Sequence, residues 1–115
     1  MDTVGEMLEG KGSEIWSISS QEKVLEGLKI MAEKDVGALL VVDDGRLVGI
    51  FSERDYARKL ALKGKFSKDT NVSELMTPQV LYVEPKNTVK ECMALMTAKR
   101  VRHLPVMENE QLKGI

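Results

Sequence analysis

Ser52 and Asp55, three residues apart in GIFSERDYARK (Gly49 to Lys59), place a hydroxyl and a carboxylate where an apolar run gives way to a charged one. That spacing has two chemical uses. In a capping box the two side chains satisfy free backbone amides at the start of a helix. In a ligand site the carboxylate can accept hydrogen bonds from both hydroxyls of a ribose, while the helix start offers amides and a positive dipole end to an anion. Arg54 stands between the two, and Arg102 and His103 form a second polar pair further along. A guanidinium can hold phosphate through two parallel hydrogen bonds, although a single arginine more often solvates the surface. His103 divides the same way, between a polar edge residue and a ligand contact.

The remaining reactive types do not assemble into chemistry. No paired histidines, CxxC or HExxH spacing is present, so no metal site is expected. Gly5, Gly10 and Gly12 are scattered through a lead-in that lacks the strand, turn and helix of a phosphate loop. Cys92 falls on the apolar stripe of its helix and reads as a small packing residue. Met31, Met93 and Met96 are expected to be core positions. A catalytic site needs a base paired with a nucleophile or metal, and none can be built, so no enzyme and no required cofactor are expected.

The elements that must position Ser52 and Asp55 appear once the chain is compared with itself. Shifted by 65, Ser17 to Ile50 lies on Tyr82 to Ile115 without a gap, with ten identities in 34 positions that include Leu39/Leu104, Val41/Val106 and Gly49/Gly114. A weaker echo, VGEML (Val4 to Leu8) against VSELM (Val72 to Met76), needs a shift of 68. The chain is therefore two copies of one unit. Residues 1–70 are expected to hold the lead-in and first copy, and 71–115 the second, which stops before the counterpart of Ser52.

Each copy reads β-α-β-β-α. EIWSI (Glu14 to Ile18) and VLYV (Val80 to Val83) are strand candidates. A helix follows in each, with Ser19 and Glu22 at capping-box spacing and Val24, Gly27, Leu28 and Met31 at helical period. Val89, Cys92, Met93 and Met96 take the same positions in the second copy. ALLVV (Ala38 to Val42) and HLPVM (His103 to Met107) read as buried strands. Asp44-Gly45 turns the chain back into RLVGIF (Arg46 to Phe51), and Glu108 to Gln111 makes the matching turn with poorer chemistry. A closing helix is expected from Ser52 to Leu62, with Gly64 after its end.

Composition limits the partners. The net charge is −1, from 17 basic and 18 acidic residues, so no overall field favours nucleic acid or a membrane surface. The basic residues Arg54, Arg58, Lys59, Lys63, Lys65 and Lys68 cluster, but a solvated helix face accounts for most of them, and no aromatics interleave to stack bases. No apolar run reaches about 18 residues, the N-terminus lacks the pattern of a secretory signal, and one cysteine fits a reducing compartment. A cytoplasmic location is expected. Aromatics make up 4%, so the core must be largely aliphatic.

Two βαββα units, GIFSERD after the first hairpin, RHLPV (Arg102 to Val106) in the second copy and VSELMTP leading into it together resemble a tandem of cystathionine-β-synthase-type (CBS) domains, also called a Bateman module. The resemblance covers the whole chain. It implies an α+β fold of two units related by a pseudo-two-fold axis, the second incomplete, and a regulatory role that binds AMP, ADP or ATP, or alternatively NAD or S-adenosylmethionine, in clefts between the copies. It assigns the ribose to Asp55, places Ser52 near the phosphate, and turns Arg102 and His103 toward phosphates; Arg54, beside Ser52 and Asp55, is expected to join them through its own guanidinium chemistry. A homodimer is expected, with the chain terminus leaving apolar surface that a partner could cover, and a regulated protein is a possible second partner. The competing expectation is a ligand-free dimerisation module in which Ser52 and Asp55 only cap a helix.

Overall fold

A computed structural model describes residues 2–12, 15–61, 66–78, 81–109 and 111–115, with Lys11 and Ala61 described by backbone alone. The fold is mixed α+β. Helix α1 (Val4–Lys11) precedes strand β1 (Ser17–Ile18), helix α2 (Val24–Lys34), strands β2 (Ala38–Asp43) and β3 (Arg46–Ser52), and a short helix α3 (Glu53–Asp55) that runs into a π-helical segment, Tyr56–Ala61. Helix α4 (Val72–Leu75) leads to helix α5 (Val89–Lys99) and strands β4 (Val106–Glu108) and β5 (Gln111–Gly114).

The 65-residue shift is visible in the backbone. Both α2 and α5 end on a residue in the left-handed region, Asp35 and Arg100, and the turns after β2 and β4 carry Asp44 and Asn109 in the same conformation. The β2–β3 ladder slips between Val41 and Val42, and the β4–β5 ladder between Val106 and Met107, again 65 apart. β1 pairs parallel with β2 through Ile18 and Val41, and Val83 meets Val106 in the same parallel sense. Asp44 and Gly45 both have positive φ, the conformation that a two-residue hairpin needs to match the twist of its strands.

Two compact units result: Met1–Ile15 together with Leu81–Ile115, and Trp16–Val80. The lead-in to each copy is thus bonded to the body of the other. Val4 N–H donates to the Asn87 carbonyl and Gly5 N–H to that of Pro85, while Val89 N–H donates to Asp2. In the other unit Val72 N–H donates to Glu22, Ser73 N–H to Ser20, and Val24 N–H to Thr70. Each core is closed by its borrowed helix. Val72 and Leu75 are buried with Ile18, Val24, Met31, Leu39, Val41, Phe51 and Leu60. Val4 is buried with Val83, Cys92, Leu104 and Val106.

Several local expectations change. The Ser19–Glu22 capping box does not form, and α2 begins at Val24 behind Lys23. The serines are otherwise engaged: the Ser19 and Ser20 hydroxyls and the Ser20 amide all donate to the Asp43 carboxylate. The leading amides of α2, on Val24 and Leu25, go instead to the carbonyls of Thr70 and Ser67. β4 starts at Val106 rather than His103, because Pro105 has no N–H for a ladder; its carbonyl still accepts from Val83. The first strand is confined to Ser17–Ile18, and of the matching candidate Val80 to Val83 the described residues form one bridge, Val83 to Val106. Met93 is 64% exposed and not part of a core. Glu14, Leu62, Lys63, Gly64, Lys65, Val80 and Glu110 lie outside the described residues.

Candidate functional site

Ser52 ends β3 in an extended conformation and is the N-cap of α3. The spacing read from sequence does form a capping box: Asp55 N–H donates to Ser52 Oγ at 3.1 Å, and Ser52 N–H donates to Asp55 Oδ2 at 3.0 Å. Ser52 Oγ also donates to Oδ2, at 3.0 Å. The other carboxylate oxygen has two further partners. Thr77 Oγ1 donates to Asp55 Oδ1 at 3.2 Å, and Lys59 Nζ pairs with it at 3.2 Å. The Asp55 side chain is 12% exposed and that of Lys59 39%. Lys59 also donates to the Leu75 carbonyl, at 3.0 Å.

Two elements hold this cluster. Thr77 is fixed to β3 by a reciprocal pair of backbone hydrogen bonds with Ile50, each 2.9 Å. That approach requires glycine next door, since a Cβ on Gly49 would stand 2.8 Å from the Thr77 carbonyl oxygen and 2.9 Å from Met76 Sδ. The π-helical segment carries Lys59. Segments of that kind concentrate at functional sites.

The amides at the start of α3 are largely committed. Ser52 N–H goes to Asp55, Asp55 N–H to Ser52, and Glu53 N–H to the Gly37 carbonyl at 3.0 Å. An anion arriving here would therefore rely on side chains more than on the backbone dipole expected from sequence. Arg54 is exposed beside the cap. Arg102 is exposed in the bend after α5, and His103 follows it, half-buried; both belong to the other compact unit. Lys59 and Thr77 were missed as cluster members. Asp55 and Lys59 have the i,i+4 acid-to-base spacing that could have flagged the first, whereas no signal in sequence joins Thr77 to residues 22 positions earlier.

Cys92 is buried, and its thiol is pushed up by burial first and by the Glu91 charge second. It stays protonated, as a packing residue would. Among the described residues no group of three or more metal-ligating side chains comes together, and no helix is long and apolar enough to cross a membrane.

A family model described as CBS domain matches residues 12–62 and 72–115. A solved structure of a putative signal-transduction protein with CBS domains from Burkholderia ambifaria MC40-6 is 48% identical, with a TM-score of 0.93 over 97% of this chain and 85% of that one. The mitochondrial CBS domain-containing protein CBSX3 of Arabidopsis thaliana is 36% identical over 98% of this chain, which spans only 59% of that protein's length. The CBS domain pair of protein MJ0100, solved with 5′-methylthioadenosine and S-adenosyl-L-methionine, shares the fold at 24% identity, with a TM-score of 0.83 over 97% of this chain and 86% of that one.

Proposed function

This chain belongs to the CBS domain family, and we propose that it is a regulatory module that binds an adenine nucleotide through Asp55 and Ser52 and catalyses no reaction of its own. The observation that carries the reading is the Asp55 carboxylate. It is fixed in direction by the Ser52 amide and hydroxyl, yet its other oxygen is partnered by side chains alone, the Thr77 hydroxyl and the Lys59 ammonium. A carboxylate held this way is a strong acceptor for a ribose diol. AMP, ADP and ATP are the proposed ligands, with NAD and S-adenosylmethionine as alternatives that share the adenosine; the complex of protein MJ0100 indicates that this fold can accommodate adenosyl groups. Arg54, Arg102 and His103 are proposed to meet phosphate. Ligand would favour one of two arrangements of the module, and a regulated protein or a second copy in a homodimer would read the difference. The working compartment in this proposal is the cytoplasm.

A thermal-shift panel of adenosine, AMP, ATP, NAD, S-adenosylmethionine and GMP tests it. A ligand at 100 times its dissociation constant adds about 2.7 kcal/mol to stability, so an adenine-selective rise in melting temperature is expected. The second reading, a ligand-free dimerisation module, is favoured by the internal partners that already surround Asp55. A panel with no shift, on a protein that is dimeric by light scattering, would establish that reading instead.

A further inference from the structure

A carboxylate has about four lone-pair positions, and Asp55 fills four: two from Ser52 on Oδ2, then Thr77 and Lys59 on Oδ1. A ligand hydroxyl can bond this carboxylate only by displacing one of them. The four are not equally replaceable. Ser52 N–H is backbone, fixed by the end of β3, and Ser52 Oγ is pinned from its other side by the Asp55 amide. On Oδ1 the partners give way cheaply. Thr77 is exposed, so its hydroxyl finds water when it rotates away, and Lys59 keeps the Leu75 carbonyl at 3.0 Å. Neither is orphaned by leaving, so neither incurs the penalty of a buried unpaired polar group.

We infer that Thr77 and Lys59 form a latch over Asp55 Oδ1 that a ligand diol must open, so that these two side chains set the affinity of the site by competition. The inference rests on Asp55 being the ligand acid of the proposed function. It also gives ligand binding a mechanical consequence. Lys59 ties Asp55 to the end of α4, and Thr77 lies on the strand-like segment bridged to Ile50 that leads out of the Trp16–Val80 unit. Opening the latch releases the side-chain ties of that connecting segment to Asp55.

Thr77→Val keeps the shape of the side chain and removes the competing donor; Lys59→Met removes the competing charge. Adenosine, which has a diol and no phosphate, is the probe, titrated by calorimetry into the full chain and each variant, with Thr77→Ser as the variant that retains the hydroxyl. Thr77→Val and Lys59→Met are expected to bind adenosine about 3- to 10-fold more tightly, the equivalent of one ordinary hydrogen bond no longer displaced, while Thr77→Ser matches the natural chain. A residue that only supports the fold would not tighten binding when removed. Adenosine binding to the natural chain with equal or weaker binding to both variants would overturn the latch and leave the site reading intact. No adenosine binding to the natural chain or any folded variant would overturn both. Binding seen only in the variants would support the latch in its strongest form.

Discussion

At the scale of single residues, Asp55 is the group on which the two functional readings diverge, because a cap and a ligand acid respond differently to loss of charge. Asn at this position can still accept a hydrogen bond from the Ser52 amide, so Asp55→Asn should fold and melt close to the natural chain. Its neutral carbonyl is a poorer acceptor for two hydroxyls, and adenosine binding should weaken by about 1.5–3 kcal/mol, the range for hydrogen bonds to charged groups. Calorimetry and thermal melts on the same samples check this. A large loss of stability without any change in binding would make Asp55 a cap alone. Arg54 and Arg102 are exposed, so their proposed attraction for phosphate is subject to screening. Arg54→Ala and Arg102→Ala should each weaken AMP more at low salt than at high salt and leave adenosine unchanged. Equal losses for the two ligands would instead mean that the arginines support the fold.

At the scale of elements, close contacts explain residue choices that composition does not. A Cβ on Gly27 of α2 would lie 2.8 Å from Phe51 Cε2 and 3.1 Å from Cδ2. Phe51 is fully buried and has nowhere to retreat. Alanine ordinarily favours a helix over glycine by about 1 kcal/mol, whereas overpacking costs about 1–3 kcal/mol, so Gly27→Ala should destabilise the chain, by up to roughly 2 kcal/mol in urea unfolding. The ends of β1 and β2 are joined by Asp43. Its carboxyl is held below its usual value by the Ser20 hydroxyl, then the Ser20 amide and the Ser19 hydroxyl, against an opposing push from burial. A carboxyl whose folded value is depressed contributes stability that is present above the unfolded value of about 3.9 and is lost as pH falls through the folded value. Unfolding free energy should therefore decline as pH falls through and below the unfolded value, and Asp43→Asn should flatten part of that decline.

At the scale of the whole molecule, the exchange of lead-in helices decides which stretch of chain can stand alone. Residues 16–80 contain α4, whose Val72 and Leu75 complete the core around Phe51, and keep the three backbone hydrogen bonds between that helix with its approach and residues 20–24. Residues 1–70 contain all of the first sequence copy and none of those α4 groups. The 16–80 fragment should unfold cooperatively and protect the amides of β2 in hydrogen exchange. The 1–70 fragment should not, since burial of two aliphatic side chains, each worth about 1.5–3 kcal/mol, is missing from it. Equal protection in both fragments would mean that α4 is dispensable to that core.

The sequence by itself determined the repeat, the α+β class, the family and the Ser52–Asp55 cap. The repeat emerges when the chain is laid on itself and the family from the likeness of its motifs to known members, whereas the hairpin and the cap are local: Asp44-Gly45 makes its turn and Ser52 caps its helix from within a few residues. It placed Met93 wrongly and gave Ser19 to a helix start, because helical period says which side chains share a face and not whether anything covers that face, and a serine's spacing does not reveal that Asp43, 24 residues away, will take its hydroxyl. The i,i+4 spacing of Asp55 and Lys59 was open to reading in the sequence, but only the tertiary structure brought Thr77 to Asp55 and sent each lead-in helix to the body of the other copy. Such contacts are settled by how a chain minimises unpaired amides and exposed apolar surface over long sequence separations, and those long-range balances leave no periodic mark in the sequence.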